Sequence, residues 1–168
     1  MVFNHIKALG FWATRISSAI KTMVDKEAEP HGLTFSDVII IMFLSITGPQ
    51  SLVELSRKMA FAHPSVLRKI DSLEENGILE RKPHPEDRRI KLISLTRKGE
   101  KLGPLVQGIL LKVNQKSRNG FTENEYEQLI NMLIRAYKNV APQDDLIVEI
   151  MEKPDKFNQK HISDLFKL

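Results

Sequence analysis

Two adjacent arginines, Arg88 and Arg89, follow two acids, Glu86 and Asp87, in a turn that prolines Pro83 and Pro85 lead into. Guanidinium groups stay charged and present a fork of N–H donors, which suits phosphate oxygens and base edges. After the turn, apolar and polar residues alternate as in a half-buried strand. Ile90, Leu92 and Leu95 are expected to face a core, with Lys91 and Ser94 facing out. Upstream, residues 78–82 have the length and flanks of a partner strand, so the arginine pair sits at a hairpin tip. A charged turn by itself is most often only solvated, so the weight falls on its surroundings.

Those surroundings include a pair of short helices. Ser51 and Glu54 form a capping box for a helix over residues 51–58. A brief turn at Ala60-Phe61-Ala62 leads to a second helix, with Pro64 in its first turn and Gly77 as its stop. The proportions are those of a helix-turn-helix. Val66, Leu67, Ile70 and Leu73 share one face of the second helix, and Ser65, Arg68, Lys69 and Ser72 share the opposite one. Such a polar face can enter a major groove, with Arg68 suited to bidentate contact with guanine and Lys69 to guanine or phosphate. His63 and His84 lie toward the same side, where a phosphate hydrogen bond is the most either would supply. A basic hairpin beside a helix pair predicts a winged helix-turn-helix that holds double-stranded DNA.

Longer helices flank this unit. Phe3, Ile6, Leu9, Ala13, Ile16, Ile20, Met23 and Val24 recur by threes and fours, predicting an amphipathic helix over residues 2–28. Thr34 caps the next helix, with Asp37 at its third position, and the cap favours helix over buried strand for the apolar run from Val38 to Leu44. Beyond the hairpin, Thr96 is expected to cap one long helix to about Arg118, which Asn119-Gly120 stops. Thr122 and Glu125 box a last long helix carrying Leu129, Ile130, Leu133, Ile134 and Tyr137 on its apolar side. The expected class is mainly α, with a small β-hairpin wing and long N- and C-terminal dimerisation helices. The expected division is residues 1–32 for the N-terminal dimerisation helix, 33–96 for the DNA-binding domain, 97–141 for the C-terminal dimerisation helices and 142–168 for an extra helical tail. A two-fold homodimer is the simplest way to cover the flanking apolar stripes, and it also pairs the recognition helices.

The chain of 168 residues carries a net charge of +4, and the excess is local. Residues 57–101 hold 12 Lys/Arg against 7 Asp/Glu, while the rest holds 13 against 14. That is the footprint of a phosphate-binding face. The longest apolar run, Val38–Leu44, is seven residues, well short of the roughly 18–20 needed to span a membrane. No secretory signal is visible and there are no cysteines, which fits a cytoplasmic protein and excludes thiol redox sensing. The five histidines lack ligand spacing, and no phosphate loop or nucleophile elbow is present. No catalysis, cofactor, metal or membrane partner is therefore expected.

Residues 3–140 resemble the MarR family of transcription regulators. The likeness is strongest in Leu52-Val53-Glu54-Leu55-Ser56, from Leu73 through Gly77 to Arg81, in Pro85-Glu86-Asp87-Arg88-Arg89, and in Leu95-Thr96-Arg97-Lys98-Gly99. The resemblance implies a dimer bound to a pseudo-palindromic operator, most often as a repressor released by a small aromatic or amphipathic effector. It implies that Arg89 enters the minor groove with Asp87 orienting it. Arg88 would be a second contact and Arg68 the recognition-helix arginine. A narrow A·T-rich minor groove, with its concentrated negative potential, rewards such an inserted guanidinium. For the effector, Phe11, Trp12 and Phe35 with Arg15 are candidate pocket residues. The chain departs from the family at Ala62-His63-Pro64-Ser65, where a serine cap is usual, at Leu67, where threonine is common, and in its longer tail. The competing reading is a winged-helix protein-interaction module without DNA binding.

Overall fold

The computed structural model describes residues 8–59 and 63–142, with His63 described by its backbone alone. The expected helix start over residues 2–7, the turn at 60–62 and the tail after Pro142 lie largely or wholly outside the described residues.

Helix α1 (Leu9–Ala28) runs into a 3-10 turn, Glu29–His31, ended by Gly32 at φ 70°. Helix α2 (Phe35–Thr47) then sets off at 85° to the preceding helical segment. Asp25 fixes this corner by accepting the Phe35 N–H at 2.6 Å. The Thr34–Asp37 capping box forms as expected. The apolar run is helix, and α2 buries Val38, Ile40, Ile41, Met42 and Leu44. A helix that is apolar nearly all round belongs in the middle of a core.

After α2 come β1 (Gln50–Ser51), α3 (Leu52–Lys58), α4 (His63–Glu75), β2 (Leu79–Pro83) and β3 (Lys91–Leu95). The sheet is antiparallel in the order β1-β3-β2. Its register pairs Leu79 with Leu95 and Pro83 with Lys91, and sets Gln50 against Ile93. Ile93, 1% exposed, is the core residue of β3, whereas Ile90 is 43% exposed. The expectation that Ile90 faces the core is thus corrected. Ile90 ends the hairpin loop, where its carbonyl accepts the His84 N–H at 2.9 Å, and side chains alternate only from Lys91 onward. Leu67 is a second correction: it is 37% exposed and does not join buried Val66, Ile70 and Leu73.

The single helix expected after Thr96 is two, α5 (Arg97–Glu100) and α6 (Gly103–Arg118). Pro104 explains the break. Inside a continuous helix its ring would strike the Glu100 carbonyl and remove a hydrogen bond, but in a first turn neither matters. Thr96 caps α5, accepting the Gly99 N–H at 3.2 Å and donating to the Gly77 carbonyl at 2.6 Å. Gly99 closes the junction because a Cβ there would stand 2.3 Å from the Ile78 carbonyl oxygen and 2.9 Å from a Leu95 methyl.

Helix α6 packs on α1 and α2, burying Val106, Ile109 and Val113. The central α2 is thereby enclosed by α1, α4, α6 and β3. Helix α7 (Glu123–Val140) opens on the expected Thr122–Glu125 box yet buries no residue within one chain. Met132, Leu133 and Val140 of α7 are 51, 41 and 78% exposed, and Leu9, Trp12 and Ile16 of α1 are 50–54% exposed.

Candidate nucleic-acid interface

Helix α4 is held by Val66, Ile70 and Leu73, which lie 0–3% exposed in the core. That anchoring turns Ser65, Arg68 and Ser72 to solvent, as their spacing predicts. Arg68 makes no ion pair among the described residues, so its donors are available. The side chain of His63 lies outside what is described.

Lys69 is differently placed. Its ammonium donates to Thr34 Oγ1 at 3.0 Å and pairs with Asp37 Oδ1 at 3.4 Å. Asp37 is 7% exposed and also accepts the Thr34 N–H at 2.8 Å. The lysine expected to meet phosphate therefore has a partner at the start of α2, and it ties α4 to that helix. Lys69→Ala should lower stability by about 1 kcal/mol, because a largely buried carboxylate loses a half-exposed partner. Thermal melting would show this as a drop of roughly 2–4 °C, with an unchanged salt dependence of DNA binding. A slope reduced by about one unit with unchanged melting would instead make Lys69 a phosphate ligand.

The wing is β2, β3 and the loop between them. Arg81 on β2 donates to Asp71 at 2.5 Å and to Glu74, both on α4. Hydrogen bonding to Asp71, the larger influence, and the neighbouring charges raise its pKa further above the ordinary guanidinium range. One half-buried arginine thus fixes the wing against α4. Residue spacing could not single it out, since its carboxylates lie seven and ten positions away across a turn.

At the hairpin tip Arg89 is bound to Asp87 in parallel. Nε meets Oδ1 and Nη2 meets Oδ2, both at 3.0 Å, and the Arg89 backbone N–H adds a third bond at 3.0 Å. The Arg89 side chain is nonetheless 91% exposed, so its remaining N–H groups point to solvent. The Arg89 guanidinium, then its backbone N–H, hold the Asp87 carboxyl below the ordinary carboxylate range. A carboxylate whose folded pKa is depressed contributes above its unfolded value and loses that contribution as pH falls through the folded one. The clamp is therefore intact at neutral pH. Arg88 is exposed beside it and pairs with no described residue. The loop is braced by the Ile90 N–H on the Asp87 carbonyl at 2.9 Å and the Glu86 N–H on His84 Nδ1 at 3.1 Å.

The expected pocket residues do not converge within one chain. Phe35 lines a groove of about 550 Å3 with Ala13, Thr14 and Ser17 of α1. Phe11 and Trp12 instead touch each other edge-on at 5.4 Å, and Arg15 is exposed.

The family model for the MarR family matches residues 31–90, the span from the end of the 3-10 turn before α2 to the end of the wing loop. Over residues 31–90 the chain is similar to the MarR family, and in the structure that span folds as a winged helix. The whole described chain has the MarR fold. It superposes on a MarR-family regulator from Listeria monocytogenes complexed with a 26mer DNA, at TM-score 0.75 and 23% identity, covering 88% of this chain and 96% of that one. It is similar to a cysteine-to-serine variant of E. coli MarR complexed with operator DNA, at TM-score 0.72, 21% identity and 81% and 98% coverage. It is also similar to BpsR of Bordetella bronchiseptica, whose DNA binding is regulated by 6-hydroxynicotinic acid, at TM-score 0.73, 20% identity and 81% and 97% coverage. Among the described residues no single helix is long and apolar enough to cross a membrane, and no group of His, Cys, Asp and Glu fit to hold a metal is found.

Proposed function

We propose that the chain is a dimeric, sequence-specific DNA-binding transcription regulator acting as a repressor, whose operator affinity falls when a small aromatic or amphipathic effector binds. The observation that carries this reading is a set of exposed arginines on two elements that are tied together. It comprises free Arg68 on α4, and Arg88 and Arg89 at the wing tip, locked in relative position by Arg81. In this reading α4 enters the major groove with Arg68 against a guanine and Ser65 and Ser72 on the sugar-phosphate backbone. The wing places Arg89, oriented by Asp87, in the flanking minor groove, and Arg88 on the minor groove or a phosphate. Residues 33–96 then read DNA.

The dimer reading rests on the faces of α1 and α7. Both helices expose large apolar side chains, and water-exposed apolar area on that scale marks an association surface. We assign the pairing to residues 1–32 and 97–141. It sets two recognition helices against a pseudo-palindromic operator. The chain should sediment as a dimer at micromolar concentration, and a monomer there would overturn this half of the reading.

The effector role falls to the groove beside Phe35, with Phe11, Trp12 and Arg15 joining it only in the assembled dimer. The regulation of BpsR by 6-hydroxynicotinic acid supports an effector of that chemical class on a shared fold.

Selection from a random double-stranded DNA pool, read by sequencing and by binding isotherms at several salt concentrations, tests the function. A recovered inverted repeat, bound with an affinity that falls steeply with salt, is the expected result. Retention of no sequence above the starting pool would favour a protein-interaction role instead.

A further inference from the structure

Leu67 lies in the N-terminal half of α4, 37% exposed, between exposed Ser65 and exposed Arg68. The core does not need it, because Val66, Ile70 and Leu73 close that side at 0–3% exposure. Nor can the helix roll to bury it. Leu67 begins the row that continues through Asp71 and Glu74, and both of those carboxylates are gripped by Arg81 from the wing. On the other flank Lys69 is tied to Thr34 and Asp37. The buried face anchors α4, these two attachments hold its flanks, and an aliphatic side chain is left on the exposed surface.

Residues near the N-terminus of a recognition helix are the ones that reach base edges. Nearly everything the major groove offers there is a hydrogen-bond donor or acceptor, and the exception is the C5-methyl of thymine. Against an amino or carbonyl edge a leucine strips water and returns no hydrogen bond, which is unfavourable. Against a methyl group it removes apolar surface from water on both sides. The side chain therefore discriminates in both directions.

We propose that Leu67 is a specificity-determining residue that reads the methyl group of a thymine adjoining the base pair met by Arg68, once in each half-site. This rests on the DNA-binding reading above and adds to it a base preference that Arg68 cannot supply.

The test uses the full chain and the operator recovered by selection, with each thymine replaced in turn by uracil, which lacks only the C5-methyl. One position in each half-site should lose about fourfold in affinity on that replacement, the effect of one buried methyl. Leu67→Ala should bind the thymine and uracil operators equally. Two results would overturn the assignment while leaving the DNA-binding reading in place: uracil tolerated at every thymine by the unaltered protein, or a uracil penalty undiminished in Leu67→Ala. Failure to recover any operator would remove the DNA-binding reading and this assignment with it. The uracil scan of the unaltered protein needs no variant, so a folding defect in Leu67→Ala cannot hide the answer.

Discussion

Gly99→Ala is expected to lower the melting temperature by roughly 6–12 °C, corresponding to a loss of about 3 kcal/mol at roughly 2–4 °C per kcal/mol for a chain of this size. The added methyl would lie 2.3 Å from the Ile78 carbonyl oxygen, a backbone atom rather than the movable end of a side chain. That oxygen is already engaged, accepting the Thr96 N–H at 3.0 Å. It cannot retreat without opening the join between β2 and α5. Leu95, the last residue of β3, also has a methyl 2.9 Å away, but the backbone oxygen is the contact that cannot be relieved by a rotamer change. Overpacking against backbone belongs at the upper end of its usual cost. A variant that melts like the parent would mean that the two segments do not approach so closely. Differential scanning calorimetry reads the answer without any DNA.

Arg89→Ala is expected to weaken operator binding by about 1–3 kcal/mol, the scale of a charged protein–DNA contact, with the circular dichroism spectrum unchanged. The side chain is 91% exposed, so its removal leaves no cavity. The variant should also show a smaller dependence of affinity on salt, by about one unit of slope if the lost contact is a phosphate. A second readout comes from the clamp: the Asp87 carboxyl, freed of its guanidinium, should titrate at higher pH than in the parent. Carbon-13 NMR of the labelled carboxyl reports this independently of DNA. Unchanged affinity together with a raised Asp87 titration would separate the two roles and assign Arg89 to loop structure alone.

The parts of this fold that were legible from the chain are those whose partners lie close in sequence. The capping boxes of Thr34 with Asp37, Ser51 with Glu54 and Thr122 with Glu125 all formed, because a cap and its acid are three residues apart and need no tertiary help. The hairpin with its arginine tip was legible for the same reason. The Leu95-Thr96 and Gly99 motif could be seen as a pattern, but its purpose could not. Thr96 answers the Gly77 carbonyl and Gly99 yields space to Ile78, and both partners stand about twenty positions upstream. Lys69 shows the limit most plainly. It lies with Arg68 on a polar face, and only the folded chain brings Asp37, 32 positions away, within reach of its ammonium. Leu67 matched the apolar spacing by position, yet Val66, Ile70 and Leu73 fill the core side of α4 and leave it at the edge, a roll that helical period alone does not fix.

The three-stranded sheet ends in two open edges, and open edges recruit foreign strands. On one side β1 is only two residues long, too short to template a ladder. On the other side β2 reads Leu-Glu-Arg-Lys-Pro, so its rim bears three consecutive charges and then an imide nitrogen with no hydrogen to donate. Arg81 is further pinned beneath α4 by its two carboxylates. A strand arriving from another molecule would have to desolvate paired charges and would meet a missing donor. The hairpin can thus stand out from the body of the protein at high concentration without seeding cross-strand aggregates.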